Sequence, residues 1–100
     1  MEFTQYITIS FTYEGKRYSH KVKKSQIDNK TYEDTWVYYF DEDGLRFEVW
    51  GGLNADGEPT TDGEDKYSHC TPFAVNVYEI VDGEGTQVEQ IDNVDVDECV

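Results

Sequence analysis

Apolar and polar residues alternate along most of this chain. Residues 3–13 read FTQYITISFTY, in which the odd positions are mainly apolar and the even positions mainly polar. Successive side chains of a strand point to opposite faces, so the segment predicts a strand with one buried and one solvated face. After a short turn at residues 14–16, the segment RYSHKVKK places Tyr18, His20 and Val22 on one side. Together the two segments predict a β-hairpin.

A second hairpin is predicted around DEDG, residues 41–44, which ends in the Asp-Gly pair that favours a tight turn. Strand-like segments flank it on both sides, namely WVYYF at residues 36–40 and LRFEVW at residues 45–50. Alternation directs Leu, Phe and Val of the second segment to the core. Tyr39 and Trp50 are therefore expected to point outward.

The last third of the chain also predicts strands. FAVNVYEIV, residues 73–81, is nearly continuously apolar and is typical of a central strand. A Gly-rich turn at residues 82–85 leads into a weaker strand at residues 86–91. The tail at residues 93–100 alternates valine with acidic residues. This pattern favours a short edge strand in a weakly ordered C-terminal tail.

Residues 1–100 are expected to form a single all-β domain, a small antiparallel sandwich or barrel of about six short strands. Residues 51–70 predict a long acidic loop. Residues 25–35 have no clean period and predict either a loop or one short helical turn capped by Ser25; an α+β fold is the alternative. Hydrophobic residues make up only 37% of the chain, but 15% is aromatic, so we expect a folded domain.

The chain has no basic-then-apolar leader pattern and no apolar run that could span a membrane, so a cytoplasmic protein is expected. In a reducing compartment Cys70 and Cys99 are expected to be thiols.

Charged residues are distributed unevenly along the sequence. Residues 1–30 contain six Lys or Arg against three acidic residues, a balance of +3. Residues 31–100 contain two against 19, a balance of −17, and the net charge is −14. Such a surplus serves solubility or adaptation to high salt in many proteins. It also suits a protein that binds a basic partner.

A more specific hypothesis uses geometry. Alternate residues of a strand lie about 6.6–6.8 Å apart on one face, so the pairs Asp41/Asp43 and Asp95/Asp97 could resemble spaced phosphates. By analogy of charge and size alone, the chain would then be a nucleic-acid mimic that inhibits a nucleic-acid-binding machine, as in phage counter-defence. It would not bind nucleic acid itself.

The segment NADGEPTTDGED, residues 54–65, has the oxygen ligands of a calcium loop but not its order. An EF-hand needs glycine at position 6, whereas counting from Asp56 gives Thr61 and counting from Asn54 gives Pro59. We therefore interpret the segment as a flexible acidic loop.

The sequence predicts no catalytic residue, metal site or cofactor, and hence no enzyme. His69 and Cys70 are adjacent, so on a strand they would face opposite ways and could form neither a zinc site with His20 and Cys99 nor a catalytic pair.

The sequence therefore predicts a non-enzymatic module that binds a basic protein. Alternatives are a small-ligand or calcium-binding β domain that uses residues 54–65, and an accessory subunit whose charge serves solubility. Aromatic anchors beside acidic turns are typical of protein interfaces. The predicted partner-binding residues are Tyr39, Asp41, Glu42, Asp43, Trp50, Asp56, Glu58, Asp62, Glu64 and Asp65.

Overall fold

The computed structural model describes residues 4–32, 35–53, 56–59, 72 and 74–100. These residues form two antiparallel sheets, with strand orders β2-β1-β7 and β3-β4-β5-β6. The all-β sandwich predicted from alternation is confirmed, and the alternating tail supplies a seventh strand. The strands are β1 Tyr6–Tyr13, β2 Lys16–Lys23, β3 Thr35–Glu42, β4 Leu45–Gly52, β5 Ala74–Val81, β6 Glu84–Ile91 and β7 Asp95–Cys99.

An aromatic cluster joins the two sheets. Phe47 of β4 is fully buried, and its ring centroid lies 4.8 Å from that of Tyr18, 4.9 Å from that of Phe40 and 5.4 Å from that of Phe11. Because each such ring buries about 150–250 Å² of surface, a few aromatic side chains compensate for the low apolar content. The other large, fully buried side chains are Ile7, Ile9, Val22, Trp36, Val37, Val49, Val75 and Val77.

The faces predicted by alternation are confirmed. Ile7, Ile9 and Phe11 of β1 are fully buried, whereas Tyr39 of β3 is 49% exposed. The His20 ring stacks on a core aromatic ring at a centroid distance of 4.1 Å, as its predicted inward position requires. Strand β5 lies between β4 and β6 and is central in its sheet, also as predicted.

The structure gives the start of β1 and shows that, of the two alternatives, the helical turn forms. Strand β1 begins at Tyr6 because the chain bends just before it, where the N–H groups of Thr4, Gln5 and Tyr6 all donate to the Val100 carbonyl. The helical turn is a 3₁₀ turn over Lys24–Gln26. Ser25 lies inside this turn and therefore does not cap it.

The predicted acidic loop at residues 51–70 begins later than expected, because β4 continues to Gly52 and Leu53 then forms a bridge with Pro59. Residues 54–55 and 60–71 lie outside the described residues. No helix of the described part has the length and apolar character needed to cross a membrane.

The three hairpin turns lie at one end of the sandwich. Lys16, which begins β2, forms an ion pair with Asp43 of the β3–β4 turn. Leu45, which begins β4, pairs with Glu79 near the end of β5, so the β5–β6 turn projects at the same end. We call this the turn end; it comprises residues 14–15, 43–44 and 82–83 together with the strand residues beside them. Cys99 of β7 pairs with Ile7, so the last strand finishes at the opposite end.

Candidate functional site: the turn end and the outer face of the larger sheet

Each hairpin turn consists of an acidic residue followed by glycine. All six residues have positive φ, with 49° and 78° in the first turn, 56° and 77° in the second, and 52° and 82° in the third. Two-residue turns with φ above zero at both positions match the twist of a hairpin and favour Asp-Gly. The turn chemistry thus places a carboxylate at each tip, and the topology brings the three tips to one end: Glu14-Gly15, Asp43-Gly44 and Asp82-Gly83.

Carboxylates from different strands gather around one hydroxyl beside the turn end. Burial raises the pKa of Tyr13, and the negative charges of Glu14, Glu79 and Glu89 raise it further. These residues come from the β1–β2 turn, from β5 and from β6. The shift therefore reports that anions far apart in the sequence are close in space.

Two cations offset part of this charge. The Lys16 ammonium binds Asp43 and also lies 4.0 Å from Glu42. Arg46 makes a two-pronged contact with Asp41, at 2.8 Å and 3.2 Å. The hydrogen bond from Arg46 lowers the pKa of Asp41. Bonds from Lys16 and then from the Tyr18 hydroxyl lower the pKa of Asp43. All three predicted binding residues of this turn, Asp41, Glu42 and Asp43, therefore lie in ion pairs within the chain.

The other predicted binding residues are dispersed. Glu58 forms an ion pair with Lys24 at 2.8 Å, and Asp56 is exposed. Tyr39 and Trp50 lie on the outer face of the larger sheet, away from its core. The remaining three lie outside the described residues: Asp62, Glu64 and Asp65.

The spaced carboxylate pairs expected on strands do not form. Asp43 has a φ of 56° and turns away from the strand direction of Asp41. On β7, Val96 pairs with Ile9 and Glu98 with Thr8, so Asp97 is the extra residue of a bulge. A turn in one case and a bulge in the other interrupt the alternation on which the expectation depended.

Strands β5 and β6 carry acidic residues that the sequence analysis overlooked. In the described part of the chain, Glu79, Asp82, Glu84 and Glu89 have no ion pair. The signal was present in the sequence, because residues 74–100 contain eight acidic residues and no Lys or Arg. Of these eight, Asp95 is the one with an ion pair among the described residues, at 2.5 Å from Arg17.

On the outer face of the larger sheet, aromatic side chains surround one buried carboxylate. Oε1 of Glu48 accepts hydrogen bonds from Trp50 Nε1 at 2.5 Å, Asn76 Nδ2 at 3.0 Å and the Tyr78 hydroxyl at 3.2 Å. Burial would raise the pKa of Glu48, but these bonds and one from Tyr39 outweigh it, so the pKa lies below its usual range. We call Tyr39, Glu48, Trp50 and Tyr78 the aromatic cradle.

Nothing in the described residues forms a metal site, since no three His, Cys, Asp or Glu side chains are grouped to hold an ion. Comparisons with models of protein families, with curated proteins and with solved structures gave no match.

Proposed function

We propose that this protein is a non-enzymatic module that binds a basic protein surface through its turn end, as a mimic of a nucleic-acid backbone. The observation that carries the proposal is the convergence of three acid-Gly hairpin turns at one end of the sandwich. The partner it suits is a protein that uses Lys and Arg to hold phosphates.

Folding pairs several of the chain's few cations with acidic residues. Three cations of the basic first hairpin and the turn after it, Lys16, Arg17 and Lys24, are used in ion pairs with acidic residues from later in the chain. Unpaired carboxylates then remain on the β5–β6 hairpin. Because like charges repel, such a cluster costs free energy in the isolated protein, and a cationic partner would relieve that cost.

Rigid hairpins also suit a mimic. The residues at the turn tips are positioned by tight turns and not by flexible loops, so little backbone entropy is lost when a partner binds. A basic groove that binds phosphates releases counterions as it does so, and its affinity falls steeply with salt. Binding of this protein to such a groove would show the same salt dependence.

The test is competition. A lysine- and arginine-rich DNA-binding domain is loaded with a fluorescent DNA duplex, and this protein is added at about 50 mM and about 200 mM salt. We expect displacement of the duplex at the lower salt and much weaker displacement at the higher salt. Displacement that does not change with salt would contradict the proposal.

Two matched variants separate position from total charge. The variant E79Q/D82N/E84Q removes three charges at the turn end. The variant D56N/D97N/E98Q removes three charges away from the hairpin tips and leaves the turn end unchanged. The first should weaken displacement roughly 10-fold or more relative to the second, since each lost phosphate-like contact lowers affinity and the salt slope. Equal effects of the two variants would show that net charge alone matters and would overturn the assignment of the turn end.

A further inference from the structure

Glu48 is an ionised side chain buried on the solvent side of a sheet. Its exposed fraction is 7%, although its neighbours Phe47 and Val49 are the residues of β4 that face the core. Trp50, Asn76 and Tyr78, which donate hydrogen bonds to it, are all neutral, and no Lys or Arg of the described residues forms an ion pair with it. Buried charges in proteins are normally paired, because burial without a counter-charge is costly. Among the described residues, the charge of Glu48 is therefore stabilised by neutral hydrogen-bond donors alone.

The aromatic cradle leaves room beside this carboxylate. A depression of about 270 Å³ is lined by Tyr39, Arg46, Glu48, Tyr78, Ile80 and Gly85. Tyr39 is 49% exposed at its rim. Tyr32 extends the aromatic surface, since its ring centroid lies 4.7 Å from that of Trp50.

Glycine at position 85 gives the depression its floor. A Cβ at this position would lie 3.3 Å from Ile80 Cδ1 and 3.5 Å from Tyr78 Cβ. The absent side chain therefore allows Tyr78 and Ile80 to lie close over β6. This lack of a side chain beside the tyrosine ring leaves space for a planar group.

The electrostatics of the depression favour a cation. Arg46 also lines the depression, but its guanidinium is bound at two points by Asp41 and makes no ion pair with Glu48. The faces of tyrosine and tryptophan rings are also negative and attract cations within about 6 Å of the ring centre. An anionic ligand would be repelled both by the Glu48 carboxylate and by the ring faces.

We propose that the aromatic cradle binds the side chain of an arginine from the basic partner, with the guanidinium against a tyrosine ring and directed toward Glu48. Arginine fits better than lysine because its guanidinium is planar, stacks on aromatic faces and is more weakly hydrated. The inference rests on the proposed function only for the source of the arginine. The four cradle residues are distinct from the turn residues, although the depression lies next to the β5–β6 turn.

The test uses a small probe and the whole protein. Acetyl-arginine-amide is titrated while NMR follows two side chains bonded to Glu48, the Trp50 indole N–H and the Asn76 amide. Both signals should shift and saturate, whereas the indole N–H of Trp36, whose side chain is fully buried, should not move. Acetyl-citrulline-amide, which is planar but neutral, should produce no saturable shift. Equal shifts with citrulline would overturn the proposal.

Variants separate binding from folding. E48Q removes the charge and should weaken arginine binding at least about 10-fold. Tyr39 is half exposed, so Y39L should leave the fold intact and also weaken binding several-fold. D97N changes an exposed residue of β7 in the smaller sheet and should leave arginine binding unchanged. Unchanged binding in Y39L, or saturable binding of acetyl-lysine-amide as strong as that of arginine, would contradict the assignment to arginine.

The two proposals fail in different ways. If arginine does not bind the cradle but the E79Q/D82N/E84Q variant still loses displacement of DNA, the cradle inference is wrong and the proposed function stands. If arginine binds the cradle and DNA displacement does not depend on salt, the proposed function is wrong and the cradle remains a cation site.

Discussion

The indole Nε1 of Trp50 donates a hydrogen bond to the Glu48 carboxylate at 2.5 Å, and the two residues are two apart on the same strand. Residues two apart on a strand point to the same face of the sheet. The contact therefore places a charged acceptor and an aromatic donor side by side on the outer face of the larger sheet. This contact and the tyrosines around it bury Glu48 and supply its hydrogen bonds.

Tyr39 should ionise unusually late. Burial and then its hydrogen bond to Glu48 raise the pKa of Tyr39 to about 12. In E48Q the negative charge is lost, so the pKa should fall toward 10 but remain above it because the burial persists. Ultraviolet titration of the wild type, E48Q and Y39F would measure the change, with Y39F identifying which transition belongs to Tyr39. An unchanged late transition in E48Q would show that burial alone sets this pKa.

The ion pair at the β3–β4 turn should make stability sensitive to acid. Lys16 and Tyr18 lower the pKa of Asp43 in the folded protein. The corresponding stabilisation is complete above the unfolded pKa of about 3.9 and is lost as the pH falls through the lower, folded value. D43N should therefore show a smaller loss of stability between neutral pH and about pH 3 than the wild type does. Urea unfolding at a series of pH values would measure this.

Asp82 provides the control for that experiment. It occupies the equivalent position in the β5–β6 turn, with a φ of 52°, and has no ion pair among the described residues. D82N should leave the pH dependence close to that of the wild type. An equal change in D82N and D43N would contradict the role assigned to Lys16.

Phe47 should be among the residues on which folding depends most. Its ring contacts aromatic rings from β1, β2 and β3, and it is fully buried. Replacing such a residue with alanine removes apolar burial and leaves a cavity, so F47A should lower the free energy of unfolding by about 3–5 kcal/mol. V81A changes a residue that is 64% exposed and should alter the free energy of unfolding by less than about 0.5 kcal/mol. Urea denaturation of both variants checks the contrast.

The turn geometry at Gly44 can be tested separately from side-chain packing. Gly44 has a φ of 77°, and a Cβ at this position would meet no atom within 4 Å. G44A should therefore destabilise the protein by about 1–2 kcal/mol through backbone strain alone. Thermal unfolding would measure the loss. A neutral result would mean that the turn relaxes to another type, which the NMR shifts of Asp43 and Leu45 would reveal.

Local patterns in the sequence predicted the strands and their faces. The alternation in residues 45–50 correctly directed Phe47 and Val49 inward and Trp50 outward. The Asp-Gly pair at residues 43–44 correctly predicted a tight turn, because its backbone requirement is local. These features depend on residues that are close in the chain.

The burial of Glu48 and the pairing of the tail with β1 could not be predicted in this way. Glu48 looks like an ordinary outward residue of β4, and its burial arises from Tyr39 and Tyr78 on the neighbouring strands. Strand β7 joins β1 across most of the length of the chain. Sequence alternation specifies which face a side chain takes but not which strands become neighbours.

The position of Val100 has a practical consequence. Its carbonyl accepts hydrogen bonds from the backbone N–H groups of residues 4–6. The beginning of β1 and Val100 therefore lie together, far from the hairpin tips. A linker, surface or fusion partner joined after Val100 would leave those tips pointing outward and accessible. Tethering at this position should therefore preserve any activity that depends on the tips, whereas an insertion at Gly83 should abolish it.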